Sequence, residues 1–164
     1  MSDFKKMKVI LPGSYDPVTV GHLEIIKRAA EKYGEVYVVI FANPNKSYTF
    51  SLDDRVRMLM IATEELDNVL VSWSAGLVID YMREHGIDKI VKGYRTEADL
   101  PWEREQAEWN KAYGGYETEL WQCEEGYKEV SSTAVRKLLS EGADPSALLP
   151  RGVWDYISHF CLEK

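Results

Sequence analysis

Short apolar runs alternate along this chain with segments whose apolar residues recur every three or four positions. The runs are predicted strands, and they span 7–11, 36–42, 69–73, 89–91 and 119–123. A helical segment follows each of them, and this alternation favours parallel pairing, because each helix carries the chain back to the edge where the previous strand began. The pattern predicts an α/β fold, a single doubly wound domain over residues 1–164 with a parallel sheet of about five strands and a C-terminal helix.

The first two helices are predicted from their ends and from an apolar face. The first, 19–33, is expected to end at a left-handed Gly34. Its apolar face is formed by Leu23, Ile26, Ala30 and Tyr33. The second opens at Ser51, where Asp54 takes the place of glutamate in a capping box, and runs to about residue 65. Its buried face is predicted to contain Val56, Leu59 and Met60.

Glycine and proline mark the later helices. The third, 76–85, is closed by Gly86, the fourth has Pro101 in its first turn and ends near 114–115, and the fifth spans 131–139. One face of the last helix is predicted to carry Val153, Trp154, Ile157, Phe160 and Cys161. That face packs either on the domain or against another subunit, and the pattern does not choose between them.

Charge and composition exclude several classes of function. The formal net charge of -7 argues against non-specific binding to nucleic acid, which depends on lysine and arginine displacing counterions from phosphates. The first apolar run stops at Pro12, too short for a signal sequence or a membrane span, so we expect a cytoplasmic protein without membrane contact. Cys123 and Cys161 have neither disulfide-framework nor zinc-site spacing. His85 and His159 lie at predicted helix C-termini, where an imidazolium suits the helix dipole, and we expect them to be structural.

The connection after the first strand, residues 12–22, is rich in groups that bind anions. Gly13 and Gly21 allow close approach of backbone to a ligand, Ser14 and Thr19 supply hydroxyls, and His22 is a donor in the first helical turn. A Rossmann-like domain binds ligands at the carboxyl ends of its strands, where this helix N-terminus would lie. The connection has neither the dinucleotide fingerprint nor a Walker sequence, so it indicates a phosphate site of another kind.

The amino-acid sequence of this connection resembles the signature of one particular family. Residues 12–22 read P-G-S-Y-D-P-V-T-V-G-H and resemble the [ST]-[FY]-D-P-x-T-x-G-H signature of bacterial phosphopantetheine adenylyltransferases, in the nucleotidyltransferase superfamily with (H/T)-x-G-H. Further motifs follow in the family's order: A-N-P-N-K at 42–46, F-S-L-D-D-R at 50–55, G-L-V-I-D-Y at 76–81, G-Y-R at 93–95 and V-S-S-T-A-V-R at 130–136. The resemblance implies that ATP and 4'-phosphopantetheine give dephospho-coenzyme A and pyrophosphate, with Mg²⁺, usually in a hexamer.

The resemblance also implies three catalytic residues. The acceptor phosphate attacks the α-phosphorus of ATP directly in this family, so catalysis consists of positioning and electrostatic stabilisation. His22 would hydrogen-bond the α-phosphate, Lys46 would hold the incoming phosphate, and Arg95 would bind the triphosphate with its planar fork. The alternatives are a helix-capping histidine, a surface lysine, and an arginine paired with Glu97 or Asp99.

The binding residues follow from the same matches. The family's ATP-binding positions correspond to Ser14, Tyr15, His22, Gly93, Tyr94, Arg95, Glu103, Tyr127, Val130, Ser131, Ser132 and Thr133. The acceptor-binding positions correspond to Ser14, Lys46, Val78 and Lys92. No residue is assigned to a metal. Glu103 is equally explained as an acidic residue in a first helical turn, and within 131–133 one hydroxyl is expected to cap the helix while another binds.

The chain departs from the family pattern on the acceptor side. Lys92 replaces a usual arginine, Tyr94 replaces leucine, and 99–103 reads D-L-P-W-E for D-F-E-Y-E. Two alternatives therefore stay open: adenylyl transfer to another phosphomonoester, such as nicotinamide mononucleotide or a polyol phosphate, and a non-catalytic paralogue that binds nucleotide or coenzyme A. Thr19 together with Lys46 disfavours the cytidylyl branch, which usually has histidine at the first motif position.

Overall fold

The computed structural model describes residues 3–162 and contains one five-stranded sheet. Its strands are β1 Lys8–Gly13, β2 Glu35–Phe41, β3 Val69–Ser74, β4 Lys89–Tyr94 and β5 Thr118–Gln122. Every neighbouring pair is parallel. The predicted α/β fold with a parallel sheet is confirmed, whereas the predicted bounds 1–164 extend beyond the described residues and stay a prediction.

Six α-helices connect and follow the strands in the described part of the chain. They are α1 Val20–Lys32, α2 Leu52–Ala62, α3 Val78–His85, α4 Leu100–Gly114, α5 Ser132–Ser140 and α6 Val153–Tyr156, the last continuing as a π-helical turn over Ile157–Cys161. As predicted, α3 ends at Gly86 with φ 64° and α4 has proline in its first turn. In residues 3–162, no helix combines the length and apolarity needed to cross a membrane.

The strands alternate their side chains between two hydrophobic cores. In β1, Val9 and Leu11 join the core that also contains residues of α1, α2, α5 and α6, whereas Ile10 faces the core with residues of α3. In β2, Val38 and Val39 divide in the same way. Helices therefore cover both faces of the sheet, which is the arrangement of a doubly wound domain.

The strand order β3-β2-β1-β4-β5 places a topological switch point between β1 and β4. The chain runs outward from β1 to β3 on one side and then crosses back to build β4 and β5 on the other. The loops that leave β1 and β4 consequently diverge, and a crevice opens at the carboxyl ends of these two strands. The connection 12–22 begins on one side of this crevice, and Gly93 to Arg95 lie on the other.

Gly34 corrects the prediction for the end of α1. It is not left-handed, and α1 ends at Lys32, with Tyr33 as a C-cap residue in an extended conformation. The Gly34 N–H donates to the Met7 carbonyl, and a Cβ at this position would collide with the carbonyl oxygen of Lys5. The glycine is needed for close approach of two backbone segments, which the local pattern alone could not indicate.

Two apolar residues also face a direction that differs from the prediction. Met60 is 56% exposed, because α2 turns Arg55, Met58 and Leu59 inward and ends at Ala62 rather than near residue 65. Phe160 is 62% exposed although Val153 and Ile157 are buried. The helix changes to π-helical geometry after Tyr156, and the wider turn moves Phe160 off the buried face.

Candidate active site

A cavity of about 560 Å³ opens at the switch point between β1 and β4. The loop after β1, the first turns of α1 and α5 and the end of β4 form its walls. Two helix N-termini therefore direct unpaired N–H groups and positive dipole ends to one space, which favours an anion. The predicted site residues that line it are Ser14, Tyr15, His22, Lys92, Gly93, Tyr94, Arg95, Glu103, Tyr127, Val130, Ser131 and Ser132.

A smaller cavity of about 250 Å³ adjoins the first. Val78, predicted to bind the acceptor, lines it, and Lys92 and Glu103 line both cavities. Three polar side chains that the sequence did not indicate also line it: Gln106, Asn110 and Thr118. The Thr118 hydroxyl is buried without a hydrogen-bond partner in the described part of the chain. The sequence signal that relates Gln106 to Asn110 is their spacing of four residues, which places both on the same face of α4.

Lys46 and Thr133 line neither cavity. Lys46 is exposed in the loop between β2 and α2, where its Nζ lies 5.6 Å from the centre of the Tyr48 ring. The Thr133 hydroxyl accepts a hydrogen bond from Arg136 Nη2 at 3.1 Å. The predicted binding roles of both residues stay predictions.

His22 both caps a helix and lines the larger cavity. Its Nδ1 accepts a hydrogen bond from the Thr19 N–H at 3.0 Å, and Thr19 Oγ1 accepts from the His22 N–H, so the two residues form a capping box at the start of α1. With Nδ1 used as an acceptor, the ring hydrogen of neutral His22 is on Nε2. Burial, followed by the charges of Lys92 and Arg95, lowers the pKa of His22 from 6.5 to about 4. At neutral pH His22 is therefore an uncharged donor.

Tyr15 supports His22 from the loop. Its backbone is left-handed, with φ 46°, and its hydroxyl donates to the Leu11 carbonyl at 2.9 Å. The Tyr15 ring lies edge-on to the imidazole of His22, with 4.9 Å between ring centres. The aromatic side chain is thus used to hold the loop and the histidine ring in place.

Arg95 lies at the end of the β4 strand and faces the larger cavity. Its Nη2 lies 3.9 Å from Asp99 Oδ1, and its Nη1 donates to the Lys128 carbonyl at 3.4 Å. The ion pair that the sequence left open as an alternative is therefore present, but it is long and leaves the side chain on the cavity wall. The contact is compatible with ligand binding because a partly exposed pair of this kind contributes little to stability.

Asp99 was not predicted as a site residue. Its Oδ2 accepts from the N–H groups of Arg95 and Thr96, which fixes the turn that presents the Arg95 side chain. Burial alone would raise the pKa of Asp99, but the hydrogen bonds from Thr96 and Arg95 outweigh it and hold that pKa below its ordinary value. The T-x-x-D spacing of a capping box at 96–99 was the signal that could have identified it.

The two serines at the start of α5 make different bonds. Ser131 is the N-cap, and its Oγ accepts from the Ala134 N–H at 3.0 Å. The Ser132 hydroxyl donates to the Pro17 carbonyl at 2.7 Å. These contacts dock the N-terminus of α5 against the loop that follows β1.

Cys123 also lines the larger cavity, with no sequence signal to place it there. It is buried, and burial raises the pKa of its thiol, so it is a neutral apolar wall at physiological pH. No disulfide joins it to Cys161.

Comparison with known proteins agrees with this geometry. A family model described as cytidylyltransferase-like matches residues 10–138. The phosphopantetheine adenylyltransferase of Corynebacterium glutamicum (strain R) is 42% identical over 148 residues, covering 90% of this chain and 92% of that protein. The enzyme of the same name from Corynebacterium diphtheriae is 43% identical over 147 residues, covering 89% and 92%.

A solved structure is similar in fold. It comes from Vibrio parahaemolyticus, its description assigns it to nicotinate-nucleotide adenylyltransferases, and it superposes with a TM-score of 0.67 over 93% of this chain and 92% of that one. At 16% identity this similarity shows the fold alone. The family model and the Corynebacterium sequences carry the assignment: this chain belongs to the cytidylyltransferase-like family and, within it, to the phosphopantetheine adenylyltransferases.

Proposed function

We propose that this protein transfers the adenylyl group of ATP to 4'-phosphopantetheine, giving dephospho-coenzyme A and pyrophosphate. The observation that carries the proposal is the neutral His22 on the wall of a cavity between two helix N-termini, beside Lys92 and Arg95. An oxygen of the acceptor phosphate attacks the α-phosphorus. The bond from that phosphorus to the bridging oxygen breaks, and pyrophosphate leaves.

His22 would stabilise the charge that builds on the α-phosphate oxygens in the transition state. Its Nδ1 is held by the Thr19 N–H, so Nε2–H is the donor available for a ligand. Because the bond to Thr19 fixes the ring before the reaction, little reorganisation is needed when the charge develops. A neutral donor of this kind does not require proton transfer to act.

The cations would neutralise repulsion between two phosphate-bearing substrates. Arg95, on the wall of the larger cavity, would bind the triphosphate, and Lys92, which lines both cavities, would bind the acceptor phosphate. Lys46 would join them from the exposed loop between β2 and α2 when the acceptor is bound.

The smaller cavity would hold the body of the acceptor. It shares Pro12, Gly13 and Lys92 with the lining of the larger one, so an acceptor phosphate near Lys92 would lie beside the proposed ATP site. Its wall mixes apolar side chains, such as Val78, with amide and hydroxyl groups. This mixture suits an acceptor arm that contains amide groups between short aliphatic segments.

Mg²⁺ is also part of the proposal. Among residues 3–162, no group of three or more His, Cys, Asp or Glu side chains is arranged to hold a metal ion. Mg²⁺ retains several waters and commonly binds through substrate phosphates. We therefore propose that it enters with the triphosphate of ATP and helps to neutralise its charge.

The direct test is an assay of purified protein with ATP, Mg²⁺ and 4'-phosphopantetheine. We expect pyrophosphate and dephospho-coenzyme A in equal amounts, and a folded protein that releases neither would refute the proposal. A panel of other phosphomonoesters, including nicotinamide and nicotinate mononucleotides, with ATP or CTP, tests the alternative acceptors. Tight ATP binding with no product from any acceptor would instead support a non-catalytic nucleotide-binding protein.

Two further parts of the proposal concern the setting of the enzyme. By its family resemblance we propose that it acts in the cytoplasm and assembles as a hexamer. Sedimentation analysis of the purified protein tests the assembly, and a monomer at micromolar concentration would contradict it.

A further inference from the structure

Two buried charged side chains connect the first loop of the site to the loop that carries Lys46. Asp16 is 5% exposed and Arg55 is 3% exposed. Arg55 closes the F-S-L-D-D-R motif at 50–55, to which the proposed reaction assigns no role. Since charged side chains are rarely buried without a specific partner, both residues need an explanation.

Asp16 reaches from the first loop to the second. Its Oδ2 accepts a hydrogen bond from the Thr49 N–H at 2.8 Å, and its Oδ1 accepts from the Phe50 N–H at 2.9 Å. Both bonds are short and use a carboxyl oxygen as the acceptor. These two bonds therefore attach the end of the loop that carries Lys46 to Asp16, the residue directly after Tyr15.

Arg55 reaches back from the second loop to the first. Its Nη1 donates to the Ser14 carbonyl at 3.0 Å, and its Nε donates to the Phe50 carbonyl at 3.1 Å. One planar guanidinium thus joins the two loops, with two donors in a fixed relative orientation. Ser14 lies on the wall of the larger cavity, so the Arg55 bond acts directly on the phosphate-binding loop.

Arg55 is buried by contacts with two carbonyls and an aromatic ring. Within residues 3–162 no carboxylate lies at ion-pair distance from it, and it sits near the N-terminus of α2, where the helix dipole disfavours a cation. The ring of Tyr48 lies 4.0 Å from the guanidinium carbon. The Nζ of Lys46 lies 5.6 Å from the centre of the same ring. A continuous set of contacts therefore runs from Ser14 through Arg55 and Tyr48 to Lys46.

We infer that Arg55 is a positioning residue that sets the Lys46 loop relative to the phosphate-binding loop, through the Ser14 carbonyl and the Tyr48 ring. The inference rests on the proposed role of Lys46 in binding the acceptor phosphate. Arg55 itself lines neither cavity. Its effect is to hold the loop that carries Lys46 at a defined distance from the loop that carries Ser14. The acceptor phosphate could then contact both loops at the same time.

The first test compares Arg55→Met and Arg55→Lys with Arg57→Met, an exposed arginine two residues further along α2. We expect Arg55→Met to lower kcat/KM for the acceptor by about 10- to 100-fold, the size of effect that small misplacements of binding groups produce. The KM for ATP should change much less. Arg55→Lys should fail to restore activity, because a flexible ammonium does not hold two donors in the fixed orientation of a guanidinium, whereas Arg57→Met should match the wild type.

A double-mutant cycle with Lys46→Ala separates positioning from a general structural role. If Arg55 acts through Lys46, Arg55→Met should cost much less in the Lys46→Ala background than in the wild type. Tyr48→Leu, at a half-buried position, provides the same comparison if Arg55→Met does not fold. Equal losses in both backgrounds, or full rescue by Arg55→Lys, would overturn the inference.

Hydrogen exchange gives a readout that does not depend on activity. The Thr49 and Phe50 amides, which bond to Asp16, should exchange faster in Arg55→Met than in Arg57→Met. If wild-type protein makes no product, the proposed function fails, and faster exchange still supports the link between the loops. If wild-type protein is active and exchange and kinetics are the same in both variants, the inference fails and the proposed function stands.

Discussion

The ammonium nitrogen of Lys92 lies 3.7 Å from Glu103 Oε2, on the border between the two cavities. This distance is too long for a hydrogen bond, and Oε2 is buried without a hydrogen-bond partner among residues 3–162. The Lys92 Nζ also lies 3.5 Å from the Pro12 carbonyl. The lysine is therefore held loosely, and a phosphate that approaches the border would compete with Glu103 for its charge.

Replacing Lys92 by arginine should lower the KM for the acceptor, by roughly tenfold, because a planar fork can bind two phosphate oxygens at once. The KM for ATP should stay within about twofold, since the proposed function assigns the triphosphate to Arg95 rather than to Lys92. Steady-state kinetics with each substrate varied in turn measure both constants. Lys27→Arg, at an exposed position on α1, is the matched control. Equal changes in both KM values would refute the placement of Lys92 at the acceptor.

His22→Ala should lower kcat by about 10²- to 10³-fold, the usual effect of removing one transition-state donor. KM for ATP should change little if the bond strengthens only in the transition state. The variant also loses the capping bond to Thr19, so its stability should fall by about 1 kcal/mol. His159→Ala, at an exposed position, controls for the loss of an imidazole. A variant that is destabilised but keeps its kcat would restrict His22 to its capping role.

The low pKa of His22 predicts a specific dependence of stability on pH. Between pH 6.5 and about 4 the unfolded chain protonates this imidazole, whereas the folded chain keeps it neutral. The unfolded state then binds more protons, so stability falls as the pH falls through this window, and the effect is absent above it. Urea denaturation at pH 7 and pH 5 should show a larger loss for wild type than for His22→Gln.

The same pKa predicts that kcat has no acidic limb near pH 6.5 from His22, because the donor stays neutral to about pH 4. Titration of the imidazole by NMR in the folded protein measures this directly. A midpoint close to 6.5 would contradict both predictions.

Local signals in the sequence were sufficient for most of the fold. Strand runs, caps and helix-ending glycines depend on a few neighbouring residues, and the observed strands differ from the predicted ones mainly at their ends. The alternation of strands and helices also predicted the parallel sheet, because strands that are joined by crossover helices pair in parallel. The position of the larger cavity followed from the same order, since loops at the switch point share one edge.

Contacts between distant segments could not be read in this way. Gly34 is required because the backbone of Lys5 approaches it closely. Met60 is exposed because α2 buries the face that carries Arg55 and Met58. Burial of an arginine has no local signature, so the bond from Arg55 to Ser14 was not predictable from either segment. The family resemblance indicated candidate roles for residues. It did not indicate which side chains contact one another in the absence of substrate.

Gly93 offers a test of the packing that supports the site. A Cβ at this position would lie 2.7 Å from Ile25 Cγ1, closer than real contacts allow, so the Ile25 side chain, α1 or β4 must shift in Gly93→Ala. We expect a loss of about 1–3 kcal/mol in the free energy of unfolding, the usual cost of overpacking. Gly126→Ala, where a Cβ would meet nothing within 4 Å, is the control and should change stability by well under that amount. Because α1 carries His22 and β4 leads into Arg95, a shift between them should also lower kcat/KM for ATP. Denaturant unfolding and steady-state kinetics measure the two effects, and a Gly93→Ala protein equal to wild type in both would show that Ile25 repacks without moving either element.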